Sequence, residues 1–212
     1  MASQIRVFQA GDAEALSDIC IRTGAAGEDA RAVEEAPELL PAIFLDPYLA
    51  FAPQFAFVLE DALGPCGYTV GVADTGAFEA WQAEHWWPSL RAGCVDPGAD
   101  PAAWGRSDWL RNWVHRPPQA PASLSRWPAH GHIDLLPRAQ GKGVAAPLML
   151  QLMQTLAQAG AGGIHLGVAA QNARALRFYG KLGFAPVPGL DNAEACFVAR
   201  DLAAQPDVEI GD

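Results

Sequence analysis

Apolar and polar positions alternate along I-R-V-F-Q-A, Ile5 to Ala10, and predict a first strand. Gly11-Asp12 interrupts it, and Asp12 is placed to cap a helix reaching about Thr23. The apolar run E-E-A-P-E-L-L-P-A-I-F-L-D-P-Y-L-A-F is broken by Pro37, Pro41 and Pro47, so it allows only short helices. F-A-F-V-L-E-D and C-G-Y-T-V-G-V-A-D are rich in Val, Phe and Tyr, and Gly64-Pro65 between them predicts a β-hairpin.

The last third has the plainest periodicity. H-G-H-I-D-L-L reads as a strand. A helix follows, with Ala145, Leu148, Met149, Leu152, Met153 and Leu156 on one apolar stripe and Gly160 and Gly162-Gly163 as its stop. G-I-H-L-G-V-A is a second buried strand. N-A-R-A-L-R-F-Y-G-K-L-G-F is a helix with Asn172 as N-cap and Gly183 as its end. E-A-C-F-V-A-R-D-L is a final strand. The expected fold is α/β (α+β): strands first, then strand, helix, strand, helix, strand.

Between these halves the pattern lapses. Thr75 to Trp127 contains one helix-like stretch, A-F-E-A-W-Q-A-E-H-W-W-P-S-L, and then a long Pro- and Gly-rich run. All seven tryptophans fall there, so short helices with aromatic packing are expected rather than a structureless loop. Packing is the default for each of them. A wall over a pocket is the functional alternative.

Length and composition narrow the class. A chain of 212 residues suits one domain, here residues 1–203 with an insertion at about 75–127, followed by an acidic flexible tail at 204–212. Half of the residues are hydrophobic and 18% are charged, which fits a globular chain. No apolar run approaches the ~18 residues of a membrane span, and the start, M-A-S-Q-I-R-V-F, has no apolar signal region. A soluble cytoplasmic protein is expected. The formal charge of -10 argues against nucleic acid as a partner and would favour a cationic one. Cys20, Cys66, Cys94 and Cys196 are scattered without C-x-x-C, so buried thiols are expected.

Candidate chemistry concentrates in P-A-H-G-H-I-D-L-L-P-R-A-Q-G-K-G, Pro128 to Gly143. Its second part, Arg138 to Gly143, lies between a strand and a helix. The first amides of a helix lack internal partners and can face an anion, with the helix dipole adding roughly 0.3–1 kcal/mol. Gly141 and Gly143 keep that approach free of Cβ atoms, and Arg138 and Lys142 bring positive charge. This is neither a P-loop nor a complete dinucleotide fingerprint.

The motif R-x-x-G-x-G, on Arg138, Gly141 and Gly143, is followed one helix and one strand later by N-x-x-A-x-x-F-Y-x-K-x-G-F. The second falls on Asn172, Ala175, Phe178, Tyr179, Lys181, Gly183 and Phe184. This pairing resembles the GNAT superfamily of acyl-CoA N-acyltransferases over about Gly131 to Pro186, and the N-terminal half only in its order of elements. G-H-I-D-L-L-P-R-A-Q-G-K-G with G-I-H-L-G-V further resembles the acetyltransferase-like domain of O-GlcNAcases and its free-standing bacterial relatives.

The resemblance implies a GNAT fold: a mixed, mostly antiparallel sheet with helices on both faces and two splayed strands that admit acyl-CoA. It implies acetyl-CoA as co-substrate and acetyl transfer to a primary amine. Leu135 and Leu136 would pair with the pantetheine arm and the acyl carbonyl. Main-chain groups of Ala139, Gln140, Gly141, Lys142, Gly143 and Val144 would hold the pyrophosphate. Asn172 would meet the pantetheine, and Tyr179 would act as general acid beside the thioester sulfur.

His130, His132 and Asp134 alternate and so share one strand face. They support two readings. One is a metal site, with H-x-H-x-D serving a hydrolase. The other is a proton acceptor for the amine, with Asp134 and His132 as candidates. For the chain as a whole, the alternative to an acetyltransferase is a non-catalytic acyl-CoA-binding or protein-interaction domain of the same fold, and the metal-dependent hydrolase comes third. Cys66, Cys94 or Cys196 would serve only a relay mechanism. The expected partner is a small-molecule or peptide amine, with a homodimer left open, and the acceptor pocket is expected under Thr75–Trp127.

Overall fold

The computed structural model describes residues 3–190 and 195–202. Among these residues, one sheet of seven strands runs in the order β1-β2-β3-β4-β5-β7-β6. The strands are β1 (Gln4–Val7), β2 (Phe57–Asp61), β3 (Gly64–Val72), β4 (Ala129–Leu135), β5 (Gly163–Ala169), β6 (Ala185–Pro186) and β7 (Ala195–Asp201). Every neighbouring pair is antiparallel except β4 and β5. The mixed, mostly antiparallel sheet expected from the sequence is therefore present. The proposed tail at 204–212 lies outside the described residues.

The helices are α1 (Ala13–Thr23), α2 (Leu39–Phe44), α3 (Asp46–Phe51), α4 (Thr75–Trp81), α5 (Trp87–Gly93), α6 (Asp108–His115), α7 (Ala145–Gln158) and α8 (Ala173–Lys181). The prolines keep α2 and α3 short, as expected, with Leu45 as the break between them. The Asp12 expectation needs correction. Its carboxylate does not cap α1. It accepts the Gln9 N–H at 2.8 Å and two bonds from Arg6 at 2.7 Å, which fix the turn between β1 and α1. The hairpin is also displaced slightly: Gly64 and Pro65 belong to β3, and the turn is Ala62-Leu63.

Cross-strand register sorts β4 into two faces. His130, His132 and Asp134 sit opposite Val72, Val70 and Tyr68 on β3. That face meets α1 and α3. The other face meets α7, where Leu148, Met149, Leu152, Met153 and Leu156 are buried, each contributing roughly 1.5–3 kcal/mol. Gly71 and Gly131 face each other beneath α7. A Cβ on Gly131 would come within 2.5 Å of the Val70 carbonyl and 3.0 Å of Leu152, so glycine lets the helix approach.

The Thr75–Trp127 segment is structured. α4 continues through a π-helical stretch, Gln82–Trp86, into α5. Pro88, just inside α5, lacks the N–H that would continue regular pairing, which accounts for the wider turn before it. Ser107 clamps the segment to the chain before α2. Its hydroxyl donates to Glu34 Oε2 at 2.6 Å and accepts from the Glu35 and Ala36 amides at 2.8 and 3.1 Å.

Candidate active site

The β4–β5 pairing contains two rungs, Ala129 with Ile164 and His130 with His165. Past them the strands part, although each continues for several residues. The Leu136 N–H donates to Cys66 O at 2.9 Å, which sets the alternation along β4. His130, His132, Asp134 and Leu136 then turn their main-chain groups toward β3. Gly131, Ile133 and Leu135 turn theirs into the gap.

A cavity of about 1220 Å³ runs through this gap. On one side it is lined by Gly141, Gly143, Val144, Asn172, Arg174 and Tyr179. On the other it meets His132, Asp134, Tyr48, Phe44, Trp109 and Trp113. The sequence-adjacent cradle and the sequence-distant aromatic wall thus belong to one space.

His130 is locked. Thr75 Oγ1 gives its only proton to the Pro128 carbonyl at 2.7 Å, so it must accept from His130 Nδ1 at 2.8 Å. The other ring nitrogen, Nε2, then accepts from the Tyr48 hydroxyl at 2.8 Å. Burial, with His165 and His132 nearby, pushes the His130 pKa down to about 3, in keeping with a neutral ring. Both nitrogens are engaged, which leaves no lone pair for a metal. The shared-face metal reading therefore loses its first ligand to structural hydrogen bonds.

His132 differs. Its Nε2 is buried with no hydrogen-bond partner among the described residues and lies 4.0 Å from Asp134 Oδ2. Burial lowers its pKa below the ordinary value, against the opposing pull of Asp134. Asp134 accepts a 2.5 Å hydrogen bond from the fully buried Tyr68 hydroxyl. Burial raises the Tyr68 pKa well above its usual 10.0, so this phenol remains a donor. Edge-on rings of Tyr48 and Tyr68 enclose His132 at centroid distances of 5.3 and 5.9 Å.

The family model for the Acetyltransferase (GNAT) family matches residues 67–184, more than half of the chain. The chain belongs to the GNAT acetyltransferase family. The crystal structure of SsHAT has 34% identity and a TM-score of 0.86, covering 96% of this chain and 100% of that one. The O-GlcNAcases of Rattus norvegicus and Mus musculus are 26% identical over 148 residues, 69% of this chain. The match covers 16% of those proteins' length. The PaiA N-acetyltransferase of Thermoplasma acidophilum, in complex with coenzyme A, shares 13% identity and a TM-score of 0.53 over 95% of this chain and 99% of that one. At that identity the likeness shows the fold alone. Acetyl-CoA is the co-substrate that goes with GNAT membership.

The GNAT cofactor motif is distributed differently from the sequence reading. Gly141 and Gly143 have φ of +74° and +76°, a left-handed conformation that favours glycine, so their role is conformational as well as steric. Ala139 and Gln140 amides already donate to the Leu136 and Pro137 carbonyls. Arg138 faces away from the cavity: Nε reaches Asp61 at 3.0 Å and Nη2 reaches Pro65 O at 2.8 Å, securing the β2–β3 turn. Lys142 is exposed and outside the cavity lining, and the Leu136 amide is held by β3. Among the described residues, the cations that do line the cavity are Arg174, Arg177 and Lys181 of α8, of which the motif spacing singled out Lys181 alone.

Two further motif positions, Asn172 and Tyr179, line the same cavity. Asn172 caps α8 through Oδ1 to the Ala175 amide at 3.0 Å and faces the cavity. Gln140 bridges the two walls: Nε2 donates to Leu135 O at 2.8 Å, and Oε1 accepts from Arg174 at 2.9 Å. Tyr179 lines the cavity from α8, 8% exposed, with its pKa raised first by burial and then by Asp134. Tyr68 carried a legible signal that the sequence reading passed over, a polar aromatic inside an otherwise apolar strand.

Proposed function

We propose that this GNAT acetyltransferase transfers acetyl directly from acetyl-CoA to a primary amine, with His132 accepting the amine proton and Tyr179 supplying one to the leaving thiolate. The observation that carries this reading is the shared cavity, with His132 and Asp134 on one side of the parted strands and Tyr179 on the other. The cavity, the left-handed glycines and the cations of α8 fit an extended, anionic acyl-CoA. Main-chain groups of Ile133 and Leu135 would meet its pantetheine arm. Amides of Gly141, Gly143 and Val144, which line the cavity, would meet its phosphates.

An alkylammonium has a pKa near ~10.4, so about one molecule in ~2,500 is neutral at pH 7. A neutral His132 answers that need. A lone pair on Nε2 would face the carboxylate of Asp134, so the favoured tautomer carries its proton there and leaves Nδ1 as the base. Protonation at Nδ1 creates an imidazolium that Asp134 stabilises. Tyr68 acts through Asp134, holding its carboxylate in place.

Burial keeps Tyr179 protonated until negative charge develops on sulfur. A cysteine relay has little support. The Cys20 thiol lines the cavity but burial pushes it up to about 12, and burial also raises Cys66 and Cys94.

The test is CoA release with a panel of primary amines. His132→Ala should lower kcat/KM by about 10²- to 10⁴-fold while acetyl-CoA affinity stays within a factor of two or so. Wild-type kcat should fall on acidification at a pH below the ordinary histidine value of 6.5, and His132→Ala should lack that limb. Tight acetyl-CoA binding without CoA release to any amine would establish the non-catalytic binding domain instead.

A further inference from the structure

Resting on the acetyltransferase reading, we infer that the acceptor is an arylalkylamine: a flat aromatic body carrying a primary ammonium on a short linker. Two ends of the acceptor arm differ in chemistry. The end at the strand gap has His132 and Asp134, where an amine would lose its proton. The rest of the arm is aromatic. Phe44 packs on Trp109 at 6.3 Å, nearly parallel, and on Trp113 at 4.9 Å, edge-on. Deeper, Tyr48 packs on Phe78 at 4.7 Å, and Trp87 is 3% exposed. A flat ring entering this arm meets ring faces and edges, and its ammonium is then carried toward the gap.

Charge selects in the same direction. Among the described residues, the carboxylates lining the cavity, Glu28, Glu79 and Asp134, lie on the elements that build this arm. Among the described residues, the lining cations all lie on α8, on the side proposed for the cofactor. An acceptor bearing its own carboxylate or phosphate would face repulsion here, whereas a cation would be drawn in. Glu79 also fixes the rim, since its Oε1 accepts the Ala120 N–H at 2.8 Å.

The rim argues against a peptide acceptor. Pro117, Pro118 and Pro121 line it, and proline has no N–H to offer a bound main chain. A small molecule that presents only a ring and an ammonium requires none.

The experiment measures kcat/KM at saturating acetyl-CoA for tryptamine, 2-phenylethylamine, n-butylamine, spermidine and a short lysine-containing peptide. Tryptamine or phenylethylamine should exceed butylamine by at least about 10-fold. Trp113→Leu and Trp109→Leu should shrink that ratio several-fold. Trp104→Leu should leave the ratio as it is, because Trp104 lies outside the cavity with its indole on Gly98 O. Equal or better turnover of spermidine, butylamine or the peptide overturns the inference while leaving acetyl transfer intact. If no amine is turned over, binding of phenylethylamine to the CoA-loaded protein, read by tryptophan fluorescence, decides the matter. Binding tighter than butylamine supports an arylalkylamine site, and equal or weaker binding overturns it.

Discussion

The two arms of the cavity are built in opposite ways. The arm proposed for the cofactor is mostly main chain: a parted strand pair, two left-handed glycines and the start of α7. Its parts come from a short span of sequence. The arm proposed for the acceptor is mostly side chain, drawn from Thr23–Tyr48, Thr75–Pro121 and β4. A main-chain site constrains residue types wherever glycine conformation or a helix start is required, so it leaves a local spacing to read. A side-chain site depends on which distant rings meet, and no spacing records that.

The contrast can be broken from either side. The largest effect is expected at the clamp. Ser107→Ala removes a hydroxyl that is 1% exposed and leaves the Glu35 and Ala36 amides without it. A loss of about 3 kcal/mol in unfolding free energy is expected, since the buried Ala36 amide and the part-buried Glu35 amide both lose their acceptor. Denaturant melting measures it. In the folded fraction the acceptor KM should rise several-fold with little change in acetyl-CoA affinity, and equal damage to both would mean the arms are not separable.

Next is Gly141→Val. A β-branched residue at φ +74° is strained whatever space surrounds it, at a cost of about 1–3 kcal/mol. Acetyl-CoA affinity by calorimetry should fall roughly 10- to 100-fold. Retained affinity would show that the turn is not the phosphate site.

The smallest effect sharpens the contrast. Arg138 would be a phosphate ligand by motif, yet it holds Asp61 and the Pro65 carbonyl. Arg138→Ala should change acetyl-CoA affinity by less than about threefold, consistent with the modest worth of a partly exposed ion pair. A drop of tenfold or more would mean that the side chain swings into the cavity when the cofactor binds.

These residues also show what the sequence made legible. The order of elements, the α7 stripe, Asn172 and its capping role, and the two glycines followed from periodicity and local chemistry. Asp134 and His132 were correctly placed on one face because strand alternation is a local property. What each side chain does was not local. The locking of His130 depends on Tyr48 and Thr75, and the carboxylate of Asp134 is held by Tyr68. Among the tryptophans, Trp87, Trp109 and Trp113 line the cavity. Trp86 and Trp104 tie their indoles to the Ala42 and Gly98 carbonyls. The sequence presents all of them alike because burial and direction are decided by tertiary packing.

The two-rung seam between β4 and β5 has a mechanical consequence. A sheet joined over its full width is a stiff plate, whereas this one is two plates riveted at one corner, at Ala129 and His130. Thermal motion across such a seam grows with distance from the rivet, so relative displacement should be least at Gly131 and greatest at Leu135. Amide hydrogen exchange offers a ruler for this gradient, since Gly131, Ile133 and Leu135 direct their N–H groups into the seam and away from β3. The Gln140 side chain, reaching from Leu135 to Arg174, spans the free end like a stay, and limits how far the plates can swing.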